Sequence, residues 1–167
     1  MKSEVSYATD APIGARGYPG GAVLGRAEAV ERFPWLANVA WDAVAAKFPV
    51  RLPRGYLDGA TSREDPRLLT ALPADGELFA DAGDVPDPVG EQRRSPLPWV
   101  VQKHADRVLL LLTKRCHVYC RYCFRRDHVP GAGEDPTDQE WQAMLEHARK
   151  SGANEVILSG GDPLAIP

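Results

Sequence analysis

Outside residues 116–123 the chain contains no cysteine. A secreted disulfide framework, which uses even and dispersed cysteines, is therefore not its design. No apolar run approaches the ~20 residues a spanning helix needs. The opening MKSEVSYATDAPIGARGYPGG lacks the apolar centre of a signal peptide. Charge of one sign is also missing. A formal net charge of −3 over 167 residues gives no electrostatic reason to expect nucleic acid or a membrane surface as partner. There is no internal repeat and no long low-complexity tract. What remains is an ordinary composition, 44% hydrophobic, long enough for one domain with a core and expected in the cytoplasm.

The chain divides into three expected parts. Residues 1–25, rich in glycine and small side chains, read as a flexible lead-in. Residues 26–98 read as a helical and extended region. Within it PWLANVAWDAVAAKF places Trp35, Leu36, Val39, Val44 and Phe48 at mostly helical spacing, which predicts a helix over Pro34 to Phe48. Pro49 and Pro53 then favour an extended stretch, and Pro66 suits the start of a short helix to Leu72. Residues 73–98, full of Asp, Gly and Pro, read as a connecting arm outside the core.

The pattern changes in residues 99–167. RVLLLLT, from Arg107, predicts a strand buried on both faces. Thr137 and Glu140 fit a capping box, and Trp141, Met144, Leu145 and Ala148 share one helix face. Gly152 suits the helix stop, and EVILSGGD follows as a second strand. Strand, loop, helix and strand make one βαβ unit with a parallel pair. Chemistry in such sheets sits at the C-terminal strand ends. Both the cysteines and Gly160-Gly161 fall there.

Cys116, Cys120 and Cys123 are spaced C-x-x-x-C-x-x-C. Three thiolates on one short loop can surround a cubic iron–sulfur cluster, each on one iron, leaving the fourth iron open to a small molecule. The competing reading is a zinc site completed by His117 or His128, although zinc sites usually pair C-x-x-C with a second distant pair. Arg115, Arg121, Arg125 and Arg126 are expected to favour thiolate.

The run CHVYCRYCFRR, with Tyr122 before the last cysteine, resembles the signature of the radical S-adenosylmethionine (SAM) enzymes. With DRVLLLLT before it and ILSGGDPL after it, the chain resembles the lysine 2,3-aminomutase branch. LPRGYL, DPRLLTALP and DPVGEQRRSPLP are similar to the lead-in of the branch that modifies elongation factor P. The resemblance covers residues 48–167 and implies an α/β fold: a helical lead-in, then the first βαβ unit of a partial (β/α) barrel. Cys116, Cys120 and Cys123 would bind a [4Fe–4S] cluster. Tyr122, Gly160, Gly161 and Asp162 would serve SAM, the glycines by letting backbone approach the methionyl amine. Arg125 would pair with the substrate carboxylate through its planar fork, and Arg107 would contact pyridoxal phosphate. The implied chemistry is one-electron cleavage of SAM, followed by migration of the lysine α-amino group to the β-carbon with pyridoxal phosphate.

Departures qualify this. Where the family reads H-K-Y-P-D-R, this chain has QKHADR, so Gln102, His104 and Ala105 differ. Lys150 alone among lysines follows the cysteines, on the predicted helix, and is no candidate for the family's pyridoxal phosphate lysine. A full barrel takes ~250 residues, so the chain is expected to be an N-terminal part that is incomplete for catalysis. The expected partners are an amino acid, free or carried on elongation factor P, and an electron donor. The other readings are an aminomutase for glutamate or arginine, and a non-catalytic zinc- or iron–sulfur-binding module.

Overall fold

The structure is a computed structural model that describes residues 23–126 and 135–166. Most of the expected flexible segment, and His128, lie outside the described residues. The fold is α/β, with two clusters of buried apolar side chains.

The first cluster is helical. It is built from α1 (Arg26–Arg32), a 3-10 turn at Pro34–Asn38, α2 (Trp41–Lys47), α3 (Arg54–Leu57) and α4 (Pro66–Ala71). Phe33, Leu36, Trp41, Leu52, Leu57 and Leu68 fill it. The single helix expected over Pro34 to Phe48 is therefore two pieces, separated by an extended Val39. Leu36 and Trp41 stand five residues apart, so on one continuous helix they would point about 140° apart. The break lets both be buried, and the Asp75 carboxylate accepts the Ala40 amide at the break, 2.8 Å away. The short helix at Pro66 forms as expected, with the Asp65 side chain accepting the Arg67 amide.

The second cluster is the sheet and its helix. β1 (Val100–Val101), β2 (Arg107–Leu111) and β3 (Glu155–Ser159) lie in the order β1-β2-β3. β2 and β3 are parallel, with Arg107 opposite Glu155 and Leu111 opposite Ser159. β1 is an antiparallel edge that the sequence pattern did not announce. α5 (Asp138–Lys150) connects β2 to β3. Its capping box is complete: the Thr137 hydroxyl accepts the Glu140 amide, and the Glu140 carboxylate accepts the Thr137 amide at 2.7 Å. Met144 is buried against Val108, Leu110 and Leu111, with Trp141 and Ala148 beside it, while Leu145 stays exposed. Val156 and Leu158 of β3 are exposed too. Among the described residues no helix is long and apolar enough to cross a membrane.

Candidate functional site

Parallel pairing brings the two strand ends together. Because Leu111 lies opposite Ser159, the chain leaving β2 runs alongside the turn that follows β3. Three backbone hydrogen bonds join them: Leu112 amide to Ser159 carbonyl at 2.8 Å, Gly161 amide to Thr113 carbonyl at 2.6 Å, and Asp162 amide to Arg115 carbonyl at 2.7 Å. The turn is thus set directly against Cys116. Gly160 has φ 127°, a conformation open to glycine, and a Cβ there would overlap the Thr113 carbonyl oxygen. A Cβ on Gly161 would overlap the Arg115 carbonyl. The expectation that these glycines make room for a ligand is corrected in one respect: the backbone they admit on the Cβ side is the protein's own.

Asp162 adds a side-chain tie. Its Oδ2 lies 2.7 Å from His117 Nδ1, and its Oδ1 accepts the Leu164 amide at 2.9 Å. Burial works to raise the Asp162 carboxyl, but the hydrogen bonds from His117 and Leu164 bring it below its ordinary range. The His117 carbonyl in turn accepts Arg51 Nε at 3.2 Å.

The three cysteines are unpaired by disulfide and half-buried. The Cys123 amide donates to the Cys120 carbonyl at 3.0 Å, curling the loop. The Cys116 thiol is pushed up to about 11, first by burial, then by Cys123, Asp162 and Cys120. This overturns the expectation that the surrounding arginines favour its thiolate. Arg115 is paired with Asp135, Arg121 with Glu77 and Arg125 with Glu91, so their charge is spent on carboxylates. Cys120 and Cys123 lie close enough to act on the Cys116 thiol, and a bound cation would release its proton. Among the described residues, no three His, Cys, Asp or Glu side chains gather tightly enough to hold one metal ion. A cubic cluster asks something different, since each thiolate takes its own iron. The donor set fits such a cluster.

Two buried arginines fix this loop to the rest of the chain. Arg121 places its guanidinium on Glu77, with Nη2 to Oε2 at 2.7 Å, on the carbonyls of Pro49 and Phe48 at 2.8 and 3.0 Å, and over the Phe48 ring at 4.9 Å. Arg125 binds both oxygens of Glu91 at 2.8 Å and reaches the Ser159 hydroxyl and Gly160 carbonyl. Val118 of the loop packs into the helical cluster, and Tyr119 stacks at a tilt on Phe48. Tyr122 is 75% exposed, so it belongs to neither core. It lines an open groove of about 570 Å³ together with Cys123, Phe124, Arg126 and, across from them, Phe79 and Val85 of the arm.

Three of the residues named in the sequence lie elsewhere or are already engaged. Arg107 opens β2, at the strand end away from the cysteines, where it is exposed and paired with Asp106 and Glu155. Arg125 is close to the cysteines, but Glu91 fills the fork expected to take a substrate carboxylate. Lys150 is exposed and paired with Glu146 on α5.

Comparison with known proteins agrees with this geometry. Residues 110–167, from β2 through the turn after β3, match the radical SAM superfamily. Over these residues the chain belongs to the radical SAM superfamily. It is 39% identical to the L-lysine 2,3-aminomutase of Escherichia coli over 120 residues, which is 70% of this chain and 34% of that protein. It is 35% identical to the same enzyme of Haemophilus influenzae over 127 residues, and 37% identical to that of Acetoanaerobium sticklandii over 103. The chain spans about a third of the length of the curated relatives it matches. The radical SAM loop also leans on residues that sequence reasoning missed. Glu77 and Glu91 sit in the arm read as a mere connector, and no local signal marks them because their arginines lie 44 and 34 residues away.

Proposed function

We propose that this chain supplies the cluster loop and the methionyl end of the SAM site in a radical SAM isomerase that moves the α-amino group of lysine to the β-carbon. The observation that carries the reading is the joining of the three-thiol loop to the Gly160–Asp162 turn, through the Arg115 and Thr113 carbonyls and the His117–Asp162 contact. When bound, the cluster and SAM supply one-electron cleavage chemistry. Cys116, Cys120 and Cys123 hold the cluster. Gly160, Gly161 and Asp162 hold the turn beside Cys116, and the exposed Tyr122 ring offers a stacking face in the groove.

Pyridoxal phosphate enters this reading through the family resemblance alone, and Arg107 is the residue expected to meet it. Arg107 and Lys150 are exposed, paired with carboxylates and away from the thiols. No step is assigned to it here. The reading carries with it a lysine substrate, free or on elongation factor P, an external one-electron donor and a cytoplasmic setting. The chain spans about a third of its relatives' length, so rearrangement of labelled lysine by these 167 residues alone is expected to fail.

Anaerobic reconstitution with iron and sulfide tests the core of the reading. A brown protein with about four irons per chain is expected, and replacing any one of the three cysteines with alanine abolishes it. A colourless protein holding one zinc ion would overturn the proposal.

A further inference from the structure

Arg125 has five N–H donors, and four are committed. Nε and Nη2 donate to the two oxygens of Glu91, each at 2.8 Å, while Nη1 donates to the Ser159 hydroxyl at 2.9 Å and the Gly160 carbonyl at 3.1 Å. The side chains of Arg125 and Glu91 are 12% and 6% exposed. A guanidinium so enclosed, with a bidentate carboxylate already in its fork, is built to hold something in place.

What it holds is the turn. The loop side of the turn is fixed by the Thr113 and Arg115 carbonyls. The other side has Arg125, whose Nη1 reaches Gly160 through the positive-φ backbone. Glu91 sets where that Nη1 lies. It comes from the arm before β1, and its own amide is capped by Asp87 Oδ1 at 2.8 Å. A buried charge that loses its partner turns toward water or disturbs its surroundings.

We propose that Glu91 is a positioning residue: through Arg125 it fixes the Ser159–Asp162 turn against the cysteine loop. The turn's service to SAM rests on the function proposed above, whereas its positioning by Glu91 does not.

The test uses the full chain and first needs no cofactor. In the iron-free protein, Glu91→Gln keeps the volume and removes the charge. Amide hydrogen exchange at Gly161 and Asp162 is expected to rise at least tenfold, while amides in the middle of α5 keep the parent rate; about tenfold corresponds to losing one hydrogen bond to a charged group. Unchanged exchange at Gly161 and Asp162 would overturn the proposal. Should Glu91→Gln fail to fold, Ser159→Ala removes a single Arg125 acceptor and is expected to raise the same two rates about threefold, less than a full hydrogen bond is worth; no change there would likewise overturn it. In reconstituted protein, SAM affinity is read from the change it makes in the spectrum of the reduced cluster. Glu91→Gln is expected to weaken it about tenfold with iron content unchanged, and the double variant with Arg125→Lys is expected to be no weaker than the worse single one. Strictly additive losses would overturn the coupling. A parent chain that ignores SAM while Glu91→Gln still loosens the turn would refute the proposed function and leave the positioning role standing.

Discussion

Arg121 and Arg125 stand four residues apart on the cysteine loop, and each buries its charge on a glutamate of the 73–98 arm. The likeness ends there. Arg121 spends its remaining donors on the Phe48 and Pro49 carbonyls, so it ties the loop to the helical cluster. Arg125 spends its own on Ser159 and Gly160, so it ties the loop to the sheet. The loop is a bridge between two cores, and the arm that looks like a connector supplies the counter-charge at both ends. The loop that carries the three thiols is held in place by carboxylates and carbonyls from outside it.

Arg121→Ala should break the first tie most severely. It leaves Glu77 buried without its cation, which typically costs ~3–5 kcal/mol. Urea unfolding gives the size, and hydrogen exchange shows whether the loss opens the loop and α2 before β3, as the division between the two arginines requires. Gly161→Ala attacks the other end without touching charge. The added methyl meets the Arg115 backbone, which cannot swing aside as a side chain would, so a loss of ~3 kcal/mol is expected, at the upper end for overpacking. A variant as stable as the parent would show that the turn has slack.

The βαβ unit was legible because its signals are local: the apolar run at Val108–Leu112, the Thr137–Glu140 box and the Gly-Gly after β3 each declare themselves within a few residues. The cysteine loop was legible for the same reason. The two-residue β1 has no period of its own and exists through pairing with β2. Glu77 and Glu91 are ordinary acids in a polar segment until the chain folds back on itself. The arginines misled, since a sequence shows four cations near three thiols but not the carboxylates that pair with Arg115, Arg121 and Arg125.

That error yields a milder test. With Arg115, Arg121 and Arg125 spent, Cys116 keeps its proton to about 11 against an ordinary 9.0. Its folded pKa is raised, so this contribution to stability is whole below pH 9 and is lost as pH climbs toward 11. Alkylation of Cys116 in the iron-free chain, followed by peptide mass spectrometry, should climb with a midpoint near about 11. A midpoint below 9 would mean that the arginines reach the thiol after all. The smallest effect belongs to Arg107. Exposed at the far end of β2 with a surface carboxylate on each side, it carries neither tie, and Arg107→Ala should leave the melting temperature and iron content of the chain unchanged.

The span of Arg125 also orders events during synthesis. Phe48, Pro49, Glu77 and Glu91 precede the cysteines, whereas Ser159 and Gly160 follow Cys123 by 36 and 37 residues. At 5–20 residues per second, the thiols leave the ribosome on the order of 2–7 s before the strand end that completes their clamp. During that interval the loop is anchored to the helical cluster alone, and its sulfurs are open to oxidants that the finished fold would slow. A metal delivered after β3 has paired would meet a loop already set at both ends, whereas one delivered earlier would meet a loop tied at a single end.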